Sequence, residues 1–173
     1  MAAEWINEQP KNRNFLIPAG FKLDLQIFHG VDFFCQSASI PEVSVPFAEI
    51  DTPYRSIPIV GSGGVSFGDL TVRFMIDEEL KNYYSVHDWI RKFGLSQERL
   101  PEGEEDLYSN ARLFILTSHS NVNHVVEFIN MFPVSLSGVP FDATIGDVEY
   151  LLADVTFKYE RYDILNERMR PLA

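Results

Sequence analysis

The chain has 173 residues, 46% of them hydrophobic and 13% aromatic, which suits one domain with a sizeable core. Its formal net charge of −11 argues against a partner held through phosphates, since counterion release needs clustered Lys and Arg, and against an anionic membrane surface. Cys35 is the single cysteine, no run of about 18 apolar residues occurs, and the opening MAAEWINEQPKNRN lacks a signal-peptide layout, so the expectation is a protein folded in a reducing cytoplasm.

Residues 1–20 read as a polar N-terminal arm with a short apolar end, FLIPAG. Phe21, Leu23, Leu25 and Ile27 then alternate with Lys22, Asp24 and Gln26, which predicts a strand with one wet face. After Gly30, VDFFCQSASIP (31–41) reads as its hairpin partner.

From Pro41 to Gly61 the chain reads PEVSVPFAEIDTPYRSIPIVG, with prolines at 41, 46, 53 and 58. Each removes a ladder donor, so this is no central strand. Val43, Val45, Phe47, Ile50, Ile57 and Ile59 nonetheless keep apolar side chains along an extended path. Such an edge left in water invites aggregation; another subunit or another part of the fold is expected to cover it.

GVSFG, Gly64 to Gly68, spells the Gly-x-Ser-x-Gly of a hydrolase elbow around Ser66, and His87-Asp88 follows. The elbow needs a strand running into the turn and a helix leaving it. Here the order is reversed, because Leu70, Val72, Phe74 and Ile76 alternate as a strand after Ser66. No Lys-Ser/Thr follows these glycines, so they are no phosphate cradle either. A helix is predicted over 78–93, with Asp77 as N-cap, Glu78 and Glu79 in the first turn and Gly94 as the stop. Leu80, Tyr83, Val86, Ile90 and Phe93 share one face, with Trp89 and His87 at its two margins. That places His87 as a boundary residue of a packing helix rather than a catalytic base, with no enzyme expected.

Between 98 and 106 stand five acids, a solvated stretch without the periodicity of a calcium loop. ARLFILTS (111–118) is a candidate strand; His119 and His124 beyond it have no fixed third ligand, so neither a metal nor a cofactor is expected. HVVEFINMFPVSLSG (124–138) is another extended apolar segment, ended by Pro133 and Gly138. LLADVTFKYERYDI (151–164) alternates as a closing strand, and 166–173 forms a ragged C-terminal tail. About six strands against one helix predict a mainly β fold, an antiparallel β-sandwich or partial barrel with one packed α-helix.

The succession FFCQSASIP, PEVSVPFAEIDTPYRSIPIVG, FGDLTVRFMIDEE, HDWIRKFG and MFPVSLSGVPFDATIGDVEYLLADVTFKYERYDI resembles the tail tube proteins of contractile-tailed phages, the T-even-like myoviruses and their relatives. It covers residues 21–165. The resemblance implies a non-enzymatic virion subunit, assembled in the host cytoplasm, whose homo-hexameric rings form a continuous β-barrel and stack into the inner tube. Its partners would be sheath, baseplate and terminator proteins, with DNA passing through the lumen during genome ejection without specific binding and no membrane bound by the subunit. On this sequence the inter-subunit loop matches 42–64, the helix 78–93 and the closing strand 148–164. Residues 95–123 look like an insertion into a minimal tube subunit, and this extra with the two polar ends leaves an initiator or tail-end ring as the alternative. Asp24, Thr71, Thr156 and Glu160 are candidates for the lumen, among wet faces that also carry Lys22, Gln26, Arg73 and Lys158. A hexamer would multiply the chain's −11 sixfold, and acids facing the channel would repel DNA phosphates. Outside this class, a hydrolase using Ser66 and His87 and a monomeric ligand-binding sandwich are the rivals.

Overall fold

Alternating apolar residues recur along the chain; the computed structural model describes residues 14–27, 34–61, 63–95, 107–142 and 150–171, and among these it forms eleven strands around one helix. The first half holds β1 (Phe21–Leu25), β2 (Cys35–Ala38), β3 (Val43–Ser44), β4 (Phe47–Asp51), β5 (Ser56–Val60), β6 (Ser66–Phe67) and β7 (Leu70–Met75). After helix α1 (Lys81–Leu95) come β8 (Ser109–Leu116), β9 (Val122–Leu136), β10 (Leu152–Lys158) and β11 (Arg161–Asn166).

The main sheet runs β1-β8-β9-β10-β7-β2, entirely antiparallel, and β11 also pairs with β9. It divides into two halves that share β9. The first part of β9 lies between β8 and β11, while Phe132 to Leu136 pair with β10. The change of halves falls at Asn130, whose φ of 53° is in the left-handed region that Asn tolerates. There Ser109 faces Met131 and Ala111 faces Phe128, so β9 carries one extra residue, a bulge that bends the strand. Asn130 Nδ2 donates to Glu160 Oε2 (2.6 Å), and its backbone N–H donates to Asn110 Oδ1 (3.1 Å), which holds the bend.

Inward side chains of both halves meet in one core. Leu23, Leu113 and Val126 from one half pack with Val72, Val155 and Phe157 from the other, and α1 adds Val86 and Trp89. Trp89, expected at the margin of the helix face, is only 2% exposed. Its ring lies 6.0 Å from that of Phe157 and its Nε1–H donates to Leu107 O (2.9 Å), which satisfies the one polar atom that burial would otherwise orphan.

Several sequence expectations change. The described part of 31–41 does not pair with β1: β1 pairs with β8, and β2 pairs with β7. Alternation tells which face a strand buries and leaves its neighbour unspecified. Residues 109–116 of the 95–123 segment are β8, an interior strand between β1 and β9. Pro133 does not end its strand; it sits inside β9 beside a register shift, opposite Phe157. The closing strand is two strands, broken at Tyr159-Glu160, because β10 belongs to one half and β11 to the other. The tail folds back as far as Pro171, which bridges to Leu165, while Asn166 Oδ1 accepts from the N–H groups of Arg168 and Arg170. The acidic stretch 98–106 and residues 1–13 lie outside the described residues.

The helix begins at Lys81, three residues after Glu78, and Asp77 is not its cap. Leu80 N–H closes a turn on Asp77 O (3.0 Å), and Leu80 itself has φ 58°, so helical geometry starts only beyond it. Asn82, 2% exposed, ties the start down: its Oδ1 accepts from Asp77 N–H (3.2 Å) and Tyr83 N–H (2.7 Å), and its Nδ2 donates to Met75 O (2.8 Å). Gly94, the expected stop, is still helical. Asn82→Ala is expected to cost about 1–3 kcal/mol by stranding these buried groups, measured from urea unfolding midpoints. A loss well under that range would mean the three bonds are dispensable.

Candidate interaction site

Residues 42–68 form an arm with a foot, a stem and a tip. The foot is made by two tyrosines that the sequence reading passed over. Tyr162 Oη–H donates to Pro41 O (3.1 Å) and Tyr159 Oη–H donates to Gly68 O (2.8 Å), so both ends of the arm are fastened to the β10–β11 junction. Phe67 fills the space between, 6.2 Å from the ring of Tyr159 and 5.4 Å from that of Tyr162. In the stem, β3 pairs with β6 and Gly68 N–H donates to Glu42 O (2.9 Å). Gly61 N–H donates to Pro46 O (2.8 Å), and a Cβ at Gly63 would come within 2.8 Å of Pro46 Cγ, so glycine there permits the close approach of the two strands.

Burial pushes the Tyr159 hydroxyl up to about 12, helped by the neighbouring Tyr162 and Asp69. An unfolded tyrosine titrates near 10. Because the folded value is raised, this contribution to stability is whole below about pH 10 and is lost as pH rises through about 12. Stability is therefore expected to fall between those pH values, and Tyr159→Phe should flatten that slope. An unchanged alkaline slope in the variant would show that another group governs it.

At the tip, β4 and β5 pair only with each other, and every residue of both is exposed. The turn Thr52-Pro53-Tyr54-Arg55 closes on Thr52, whose N–H and hydroxyl both donate to Arg55 O, at 3.1 and 2.5 Å. Pro58 is tolerated because β5 is an edge strand. The register pairs Ala48 with Ile59 and Ile50 with Ile57, which puts all four on one face. The other face carries Phe47 and Val60 at its base, then Glu49, Pro58, Asp51 and Ser56, with Ser56 Oγ–H donating to Glu49 Oε2 (3.1 Å). The six apolar residues singled out in the sequence are thus distributed: Ile50, Ile57 and Ile59 share the apolar face, Phe47 lies behind them, Val43 is in the stem opposite Phe67, and Val45 joins stem to tip. Tyr54 at the turn is 97% exposed, and Val60, on the face behind, is 79% exposed.

The four candidates for a lumen face do not share one. Thr71 and Thr156 stand opposite each other on the outer face of the β7–β10 half. Asp24 lies in the other half, in a row Asp24, Arg112, Glu127, Asp163 across four strands, with Arg112 Nη2 2.8 Å from Glu127 Oε1. Glu160 occupies the break between β10 and β11 and accepts from Asn130. Beside Thr71 and Thr156, Arg73 makes a two-pronged pair with Asp154, at 2.8 and 3.0 Å, and its hydrogen bonds hold the Asp154 carboxyl below the usual carboxylate range.

The hydrolase residues are apart in role. Ser66 is exposed in the stem opposite Ser44, and His87 is exposed on α1; no hydrogen bond joins them among the described residues. Among the described residues no group of three or more His, Cys, Asp or Glu is placed to hold a metal ion.

The fold is thus a mainly β, antiparallel domain with a packed helix and an exposed, apolar-faced arm fastened at its foot. The chain belongs to the phage tail tube protein family, whose model matches residues 10–165. Similar folds among solved structures include a chain of the anti-feeding prophage cap, a tube-terminating cap, at 17% identity and TM-score 0.66, covering 96% of this chain and 99% of that one. Another is in the PVC sheath–tube complex of an extracellular contractile injection system in its extended state, at 15% identity and TM-score 0.63, covering 89% and 93%. A third is in the anti-feeding prophage baseplate, at 13% identity and TM-score 0.61, covering 86% and 92%. A search of curated protein sequences returns no match.

Proposed function

We propose that this tail tube protein forms the inner tube of a contractile phage-type tail. Subunits close into hexameric rings, the rings stack, and DNA passes through the channel; sheath, baseplate and terminator proteins are the partners, and assembly takes place in the host cytoplasm. The subunit catalyses no reaction. The observation that carries this reading is the apolar face Ala48, Ile50, Ile57, Ile59 of a hairpin that pairs with no other strand among the described residues and is exposed along its length. An isolated two-stranded hairpin is marginal in water. Burying each isoleucine is worth about 1.5–3 kcal/mol, and a neighbouring copy supplies the cover. On this reading 42–68 is the inter-subunit arm and the Thr71–Thr156 face looks into the channel.

The second reading is an initiator or end ring, kept because similar folds occur in a tube-terminating cap and in a baseplate. Negative-stain electron microscopy over a concentration range separates the two. Long hollow tubes are expected of a bulk subunit and single six-fold rings of an end ring. Monomers at every concentration would overturn both.

A further inference from the structure

The outer face of the β7–β10 half has an unusual charge balance for so acidic a chain. Its rows are Thr71, Thr156, Ser135 and then Ser37, Arg73, Asp154, set by the register of β2, β7, β10 and β9. Asp69 and Lys158 extend the same face beyond the threonines and form an ion pair. Among the described residues its four charged side chains cancel in two contacts, Arg73 with Asp154 and Lys158 with Asp69. The outer row of the other half, Asp24, Arg112, Glu127, Asp163, holds three acids to one arginine.

A polyanion binds where Lys and Arg are free to replace its counterions. Arg73 is engaged, since its Nε and Nη2 donate to the two oxygens of Asp154 and its charge is balanced there. We infer that the β7–β10 face is an electrically neutral channel lining, on which a linear polyanion slides because each cation is already occupied by a carboxylate, not because the lining repels it. The inference rests on the tube reading above and replaces the expectation that the chain's net charge drives DNA off the wall. Neutral hydroxyls of Thr71, Thr156 and Ser135 between the pairs offer wetting without a charge well or barrier.

The test uses assembled tubes and a short linear DNA duplex, with a covalently closed DNA circle as the probe that has no end to thread. Wild-type tubes are expected to retain neither at low salt. Asp154→Asn frees Arg73, and its tubes should retain the linear duplex alone, with a log–log salt slope steeper by about 0.9 for each arginine that reaches a phosphate. Arg73→Gln with Asp154→Asn should return retention to the wild-type level. Asp69→Asn, which frees Lys158, repeats the test if Asp154→Asn does not assemble. Circles retained as well as linear duplex would put this face on the outside and overturn the assignment. Retention by the double variant, no retention by either single variant, or wild-type uptake that rises with added salt would overturn neutrality by pairing. Failure of the wild type to form tubes would instead overturn the reading beneath it.

Discussion

Ile59→Asp and Phe47→Asp are expected to abolish tube formation while leaving the subunit folded. Both positions lie in the hairpin tip, are 44% and 67% exposed, and pair only within the hairpin. In the monomer each is a surface change, within about 0.5 kcal/mol of neutral. In an assembled contact each would bury a carboxylate without a partner, which at the centre of an interface costs about 2 kcal/mol or more, roughly 30-fold per contact and repeated around every ring. Microscopy should show no tubes, sedimentation a monomer, and thermal melting a curve like the wild type's. The two residues also report on different faces: Ile59 belongs to the apolar face and Phe47 to the one behind it. If only Ile59→Asp blocks assembly, the neighbour covers the apolar face; normal tubes from both would remove the arm from the interface.

Phe128→Ala is expected to give the largest loss of subunit stability, about 3–5 kcal/mol, a large part of the 5–15 kcal/mol typical of a domain. Phe128 is fully buried, with its ring 5.0 Å from Tyr159 and 5.7 Å from Tyr162. Those tyrosines hold the Gly68 and Pro41 carbonyls, so the cavity opens beneath both fastenings of the arm. Denaturant midpoints should record the loss, and limited proteolysis should cut within 42–68 sooner than in the wild type. Phe128→Leu keeps most of the volume and should cost under about 1.5 kcal/mol. Equal stability of wild type and Phe128→Ala would contradict the core described above.

Where strands are regular and one face is wet, the sequence was readable. Leu70, Val72 and Phe74 are buried, with Thr71 and Arg73 exposed between them, as period-two alternation requires. The helix existed where its apolar stripe ran, although its start moved because Asn82, not Asp77, fastens it. Irregular strands were not readable. β9 takes an extra residue at three register shifts, and each reverses which side chains point inward, so Phe128 and Met131, three apart across one of them, are both buried. The arm's foot was hidden for the same reason. Tyr159 and Tyr162 are three apart, which in an unbroken strand would send them to opposite faces; the break at Tyr159-Glu160 lets both reach the arm.

By itself, the sequence determined the mainly β class, the packing helix after β7, the proline-punctuated extended segment and the strand that follows Ser66. All of these depend on residues close together in the chain: side-chain period, missing donors at proline, the order of turn and strand. Only the tertiary structure decided that β2 joins β7, that β9 serves both halves, that Ala48, Ile50, Ile57 and Ile59 form one exposed face, and that Arg73 meets Asp154. Those are choices among partners 30 to 80 or so residues apart or settled by register, and a local pattern that satisfies many partners equally leaves the choice to the packing of the whole core.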